Sequence, residues 1–295
     1  MRFKSGYVSV TGKTNTGKST LLNSILGEKI AITSSKPQTT RNRILGVKTT
    51  KDEQIIFLDT PGIHHAHSTF NQLLVKTAFS TYTQVDLILY VVDSEDPFSH
   101  EESIIIKNLK HACLPTILCL NKIDKVKKST ILPLIDALKE IYDFKEIIPI
   151  SALKKDGIEQ LLQLIIQYLP FGPQYFPEDF ITDLPERFLA TEIIREKLFN
   201  LTHQEIPYST FVVIESFKEN QEKELVCIEA TIIVERESQK GIVIGKGGKK
   251  LKMIGEMARR EIEHMIDSKV FLRLWVKVDK NWTKNPRALR EFGYV

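Results

Sequence analysis

The octapeptide Gly12-Lys13-Thr14-Asn15-Thr16-Gly17-Lys18-Ser19 constrains this chain more than any other feature. It follows a short apolar run at residues 7–10 and precedes the helix-like Thr20-Leu21-Leu22-Asn23-Ser24-Ile25-Leu26. The spacing G-x-x-x-x-G-K-S between a strand and a helix makes a phosphate cradle. Glycines permit the tight loop, backbone N–H groups and a helix N-terminus face anionic oxygens, and one ammonium and one hydroxyl stand beside them. Lys18 is expected on the β- and γ-phosphates and Ser19 on Mg²⁺, with the rest of the octapeptide and Thr20 around the nucleotide.

The base is read from Asn121-Lys122-Ile123-Asp124, directly after the apolar run at residues 115–120. A carboxylate at Asp124 can accept from both the N1–H and the 2-amino group of guanine. Adenine has no 2-amino group and carries an acceptor at N1, so it would leave that carboxylate unpaired. Ser151-Ala152-Leu153, after another apolar run, is expected to turn its backbone toward guanine O6.

Between these segments, Ile55-Ile56-Phe57-Leu58 leads into Asp59-Thr60-Pro61-Gly62. Asp59 is expected to hold Mg²⁺ through water, and the Gly62 N–H to touch the γ-phosphate. Thr39 and Thr40 lie in the polar stretch 33–43, where one hydroxyl, assigned to Thr40, would join Ser19 and Asp59 at the metal only while the γ-phosphate is present. Ile63 follows the Pro-Gly turn and can neither donate nor accept a hydrogen bond, so water must be oriented otherwise. Lys18, Asn15, Thr40 and Gly62 are the catalytic candidates.

Short Val/Ile/Leu runs alternate with helical patterns at residues 73–83, 101–111, 130–142 and 158–168. That predicts an α/β domain with a mostly parallel sheet, its ligands at the C-terminal strand ends, over residues 1–170. Prolines at 170, 173, 177 and 185 mark a linker at 171–184. Beyond it the order changes to a helix (185–201), two strands (209–217, 224–235), two helices around a glycine turn and a last strand (270–278). This α+β order, with Ile244-Gly245-Lys246-Gly247-Gly248 at the turn, matches a K-homology (KH) module over residues 185–295, in which G-x-x-G clamps a single-stranded backbone. Ile242, Val243 and Ile244 are expected to floor the groove, and Lys246, Lys249, Lys250 and Lys252 to attract phosphates. Trp275 and Trp282 are the aromatic candidates for stacking, although Trp275, lying in a strand, is expected in the core.

Charge supports this reading. Of the net +4 over 295 residues, the stretch 171–238 holds 6 basic and 14 acidic side chains, whereas 239–295 holds 14 basic and 6 acidic. A basic segment at one end points to nucleic acid or an acidic membrane surface. No apolar run approaches the roughly 20 residues that cross a bilayer, and the first residues lack a signal-like apolar core. With three cysteines lacking metal-ligand spacing, read as packing residues, a cytoplasmic protein is expected. The His64, His65 and His67 cluster reads as a surface loop.

Taken together, the cradle with Asn15, Lys36-Pro37-Gln38-Thr39-Thr40-Arg41, the Asp59 and Asn121 segments, Ser151-Ala152-Leu153 and the Gly245 turn resemble the Era family of bacterial ribosome-assembly GTPases over essentially the whole chain. The resemblance implies GTP hydrolysis to GDP coupled to binding the 3′ end of 16S rRNA during 30S maturation, by a monomer, with peripheral membrane association in some members. It also implies a K⁺ ion beside the phosphates with Asn15 as ligand. The chain departs from the usual family pattern at Lys13-Thr14-Asn15-Thr16, where relatives carry Arg-Pro-Asn-Val, and at the histidines after Gly62, where relatives are lysine-rich. Competing readings are an RNA-binding module with negligible turnover and a membrane-bound signalling protein; RNA-stimulated GTP turnover and lipid sedimentation separate them.

Overall fold

The computed structural model describes residues 3–34, 36, 43–60, 62, 81–220, 224–280 and 282. Thr39, Thr40, Pro61, Ile63, the histidine cluster, most of the helix expected at 73–83 and the tail from 283 lie outside them. The chain forms two compact units, Met1–Asp183 and Leu184–Val295.

In the first unit six strands, β1 (Lys4–Thr11), β2 (Ile44–Thr49), β3 (Glu53–Asp59), β4 (Leu87–Asp93), β5 (Thr116–Asn121) and β6 (Glu146–Pro149), make one sheet in the order β2-β3-β1-β4-β5-β6. Only β2 runs antiparallel to its neighbour. The continuous apolar runs follow from burial on both faces: every residue from Leu87 to Val92 is buried. Helices α1 (Lys18–Leu26), α2 (His100–Ala112), α3 (Lys128–Lys139) and α4 (Ile158–Tyr168) supply the cover. Helix α3 starts and stops earlier than the pattern at 130–142 suggests. Of the three cysteines read as packing residues, Cys119 is buried, whereas Cys113 is exposed at the C-cap of α2 with φ 53°, where chain reversal rather than packing sets its place.

β1 lies between β3 and β4, so the chain leaves the sheet at a point where neighbours diverge to either side. Such a crevice at the C-terminal strand ends is where open α/β sheets place ligands. The phosphate loop starts there.

The second unit stacks α5 (Glu186–Leu201), α6 (Glu237–Ile244) and α7 (Lys249–Ile266) on one face of a sheet ordered β7 (Thr210–Asn220), β8 (Leu225–Val234) and β9 (Lys269–Val278). β8 pairs antiparallel with β7 and parallel with β9. Its core joins Ile194 and Leu198 of α5, Ile228 and Ile232 of β8, and Ile254, Ala258 and Ile262 of α7. The 3.6-residue spacing along α7 and the period of 2 along β8 bring these side chains to one layer.

Candidate functional site

The phosphate loop is shaped by backbone that side chains resist. Gly12 has φ 151° and Gly17 φ 96°, and a Cβ at either would stand 2.3 Å from Val91 O or Asn121 Nδ2. Asn15 also has positive φ, 65°, in the left-handed region that asparagine tolerates better than most residues. At the end of the loop α1 begins at Lys18, turning its first N–H groups to the crevice.

Lys18 is buried, and its Nζ donates to Gly12 O at 3.1 Å and Lys13 O at 2.7 Å. Burial lowers its pKa to about 8, against the opposing pull of Asp59 and Glu102. A phosphate placed beside it would stabilise the charged form. Ser19 Oγ donates to Asp59 Oδ2 at 3.0 Å, while Asp59 Oδ1 is fully buried with no hydrogen-bond partner. Burial raises the Asp59 pKa to about 6, with Lys18 and the Ser19 hydroxyl acting against it. A buried acceptor with no donor, next to a hydroxyl, is the hard oxygen set that Mg²⁺ prefers, so the residues present fit the ion.

Gly62 closes the cleft from above: a Cβ there would meet Thr14 Cα at 2.8 Å and Lys18 Nζ at 3.1 Å. The cleft is lined by Thr14, Asn15, Gly17, Lys18, Ser19, Thr20, Ile32, Thr33, Ser34 and Gly62. Thr60 turns away from it, donating its buried hydroxyl to Val10 O at 3.0 Å. Lys13 pairs with Asp96, and Thr16 Oγ1 donates to Lys13 O at 3.1 Å.

The segments expected to read the base are tied to this loop through Asn121. Its Nδ2 donates to Thr16 O at 2.8 Å and its Oδ1 accepts the Ala152 N–H at 2.9 Å, all buried. One side chain thus joins three segments far apart in sequence, and of the Ser151-Ala152-Leu153 backbone, expected to face guanine, the Ala152 N–H is given to Asn121. Asp124 is exposed, its Oδ1 accepting from Ser151 Oγ at 2.6 Å. Lys122, with φ 66°, pairs with Asp93 Oδ2 at 2.5 Å, and Leu153 is exposed.

Two contributors escaped the sequence reading. Asn23 Oδ1 accepts from the Ile30 and Ala31 N–H groups and its Nδ2 donates to Ala31 O at 2.7 Å, fixing the chain that leads to Thr33. Ile32, buried at the cleft wall, is the other. Neither stands in a motif, so only contact could find them.

In the second unit α6 ends at Gly245 with φ 72°, and Gly247 (φ 60°) and Gly248 (φ 77°) carry the chain into α7. A Cβ at Gly247 or Gly248 would meet nothing within 4 Å, so this turn faces open space, whereas one at Gly245 would strike Lys250 Cβ at 2.7 Å. A groove runs from Gly248 along Leu251, Lys252, Gly255, Glu256 and Arg259 of α7, faced by Leu272 and Leu274 of β9. Lys246, Lys249 and Lys252 are exposed around it, and Lys250 is half-buried. The apolar floor differs from expectation, because Val243 is fully buried in the core while Ile242 is exposed. The tryptophans are reversed. Trp275 is 42% exposed on β9, and Trp282 is completely buried, donating to Ser209 O at 3.2 Å and packing on Phe211.

A phosphate loop clamped to the segment that carries Asp124 in one unit, and a helix–glycine turn–helix on a three-stranded sheet in the other, are the arrangement of a P-loop GTPase joined to a KH domain. Residues 7–122 match the 50S ribosome-binding GTPase family and residues 205–283 the KH domain. The chain belongs to the Era family of GTPases: it is 54% identical over 293 residues to GTPase Era of Geotalea uraniireducens, covering 99% of this chain and 98% of that one. GTPase Era of Syntrophus aciditrophicus is likewise 54% identical, with 99% and 95% covered. Among solved structures, Era in complex with MgGDPNP and nucleotides 1506–1542 of 16S ribosomal RNA superposes with TM-score 0.96 at 44% identity, covering 99% of both chains. An Aquifex aeolicus Era variant bound to GDP and AlF4⁻ gives the same score and identity, with 99% and 100% covered. The enzyme is a GTPase.

Proposed function

We propose that this enzyme is a GTP-hydrolysing switch that binds the 3′ end of 16S rRNA through its KH groove and assists assembly of the 30S subunit. The observation that carries the reading is the Asn121 clamp: it fixes Asp124 and the phosphate loop at one spacing, so a nucleotide held at its phosphates meets a carboxylate at its base. Lys18 and the loop N–H groups bind the phosphates. Asp124 selects guanine, and Ser151 holds that carboxylate in place.

Ser19 and Asp59 would hold Mg²⁺, joined by Thr40; the ion supplies charge neutralisation between the β- and γ-phosphates. Asn15 stands where the family resemblance expects a K⁺ ligand. Gly62, against Thr14 and Lys18, contributes its backbone where the γ-phosphate would lie. In the second unit, Gly247 and Gly248 leave room for a sugar–phosphate backbone to approach, and Lys246, Lys249 and Lys252 give it counter-charge. Support for the RNA comes from the complex of the Era relative with a 16S rRNA fragment. No helix among the described residues is long and apolar enough to cross a membrane, in keeping with work in the cytoplasm. Peripheral membrane attachment would draw on the basic tail alone, whereas RNA binding uses the groove and the turn as well.

The test is GTP turnover of the full chain with and without a single-stranded RNA carrying the 16S 3′-end sequence. Tight binding of that RNA with a rise in turnover is expected. An absence of RNA binding overturns the reading and leaves a GTPase with another partner.

A further inference from the structure

The sheet of the second unit buries one face under its helices and leaves the other exposed around Phe271, Arg273 and Trp275; toward Lys277 that face is covered, Ile233 being buried and Phe211 packed against Trp282. On β9 the aliphatic Val270 points into the core, while Phe271 is 48% and Trp275 42% exposed. Between the two rings lies the Arg273 guanidinium, 5.4 Å from the centre of Phe271 and 5.6 Å from that of Trp275. Strand pairing continues this face: Phe271 stands beside Cys227 and Lys218, Arg273 beside Glu229 and Ser216, Trp275 beside Thr231 and Val213. Lys269 and Lys277 extend it at either end of β9 and are exposed. These rows hold four cations, Lys218, Lys269, Arg273 and Lys277, and the carboxylate of Glu229, which pairs with Arg273 at 3.3 Å; with the exposed Glu215 in the bulge beside Ser216, the face carries four cations to two carboxylates.

Large aromatic rings left in water within a cationic frame suit nucleic acid. Bases stack on such rings whatever their identity, and arginine and lysine meet the phosphates. Cores of protein–protein contacts are depleted of lysine instead. Position supports the same occupant. Among the described residues β9 has a neighbour on one side only, β8, and forms the edge of the sheet. Leu272 and Leu274 face the groove against α7, and Phe271, Arg273 and Trp275 face the opposite way. A single strand leaving the groove need only pass around this one strand to meet both rings.

We propose that the open face of β9, centred on Phe271, Arg273 and Trp275, is a second RNA contact: a stacking platform for nucleotides that run beyond the KH groove. It rests on the reading that the groove binds RNA. The platform adds affinity for longer strands with little sequence preference, while the groove keeps the shorter one.

The chain has two tryptophans, and since Trp282 is buried, fluorescence quenching by RNA reports on Trp275. The full chain is titrated at fixed salt with a 4-nucleotide and a 12-nucleotide single strand, both carrying the groove sequence. Both are expected to bind, with strong quenching by the longer strand only. Phe271→Val with Trp275→Val keeps an apolar edge strand without rings; it should weaken the 12-mer roughly tenfold or more and leave the 4-mer unchanged. Trp275→Phe keeps a ring and should retain 12-mer affinity within a few-fold while the quench disappears. If the 12-mer binds the double variant as tightly as the parent, the platform is wrong and the groove reading stands. If neither strand binds the parent, both readings fall. Intact 12-mer affinity combined with lost sedimentation on ribosomal subunits would reassign the face to a protein partner.

Discussion

Gln54 and Phe176 grip each other twice: Gln54 Nε2 donates to Phe176 O at 2.9 Å, and its Oε1 accepts the Phe176 N–H at 3.0 Å. The same Oε1 accepts from Tyr175 N–H at 2.8 Å. Farther along, Val47 N–H donates to Ile181 O and Thr182 Oγ1 to Leu45 O, both at 2.7 Å. The segment after α4 is therefore laced along β2 and β3 as a strap. β2 begins at Ile44, immediately after the stretch 33–43 that is expected to sense the γ-phosphate, so strap and sensor share a strand.

Gln54→Ala removes a fully buried amide and leaves two backbone N–H groups and one carbonyl of the strap without it. A loss of about 1–3 kcal/mol is expected if the strap cannot find water, less if it can. Hydrogen exchange at Tyr175 and Phe176 should quicken, with α1 unaffected. The same variant should narrow any difference in RNA affinity between the GDP state and a non-hydrolysable GTP state. Protection at Tyr175 and Phe176 equal to the parent would show that the lacing at Leu45 and Val47 suffices.

Asp124→Asn should turn the enzyme from GTP toward the xanthine nucleotide. The amide oxygen can keep the bond from Ser151 Oγ, but the partner that accepted two guanine donors becomes a donor itself. Two charge-assisted bonds at about 1.5–3 kcal/mol each correspond to a loss of roughly 10²- to 10⁴-fold in GTP affinity. Competition binding with GTP, XTP and ATP measures it; an unchanged GTP preference would remove Asp124 from the base site.

The phosphate loop was readable because its parts are contiguous and its glycines are demanded by backbone angles. Asn121 was readable as part of a motif, yet not as the clamp between Thr16 and Ala152, since that role exists only once residues over a hundred positions apart meet. The tryptophans were misjudged for a different reason. Along β9 the residues Val270, Leu272, Leu274, Val276 and Val278 alternate with Phe271, Arg273, Trp275 and Lys277. Period-2 logic puts Trp275 on the charged face, and this outweighs the general preference of tryptophan for the interior. Nothing local announces the burial of Trp282, which depends on Phe211 of the first strand of its unit and on Ser209 just before that strand. The strap, too, lacked a signal: prolines marked a break in regular structure, but its bonds come from Gln54 in a distant strand.

K⁺ should raise GTP turnover over Na⁺ at equal ionic strength, through Asn15. The residue has φ 65°, so Asn15→Ala would add backbone strain to the loss of the amide. Asn15→Gly removes the amide while keeping the left-handed turn available. Its turnover should be equal in the two salts, with GDP affinity within a few-fold of the parent. A K⁺ response that persists in Asn15→Gly would assign the ion to other ligands, and equal turnover of the parent in both salts would remove the ion.

Glu102 should make stability fall as pH rises. Its carboxylate, in the first turn of α2, accepts from the Tyr90 hydroxyl, and its Oε1 is buried with no hydrogen-bond partner. Burial raises its pKa to about 7, outweighing Tyr90 and the lysines at 13 and 18, which act the other way. In the unfolded chain a glutamate titrates near 4.3. Between these values the folded state holds a proton that the unfolded state has released, so stability is greatest below the unfolded value and is lost as pH rises through about 7. Glu102→Gln cannot titrate. Its amide also leaves a buried N–H₂ to satisfy, so its absolute stability is a poor measure, but that cost is the same at every pH. The difference in unfolding free energy between variant and parent should therefore move in favour of the variant by roughly 2–3 kcal/mol from pH 5 to pH 8. Asp59 and the other carboxylates titrate in both proteins and cancel in that difference. Urea unfolding of the two proteins at intervals across this range gives the curve, and parallel profiles would place the Glu102 charge in contact with water.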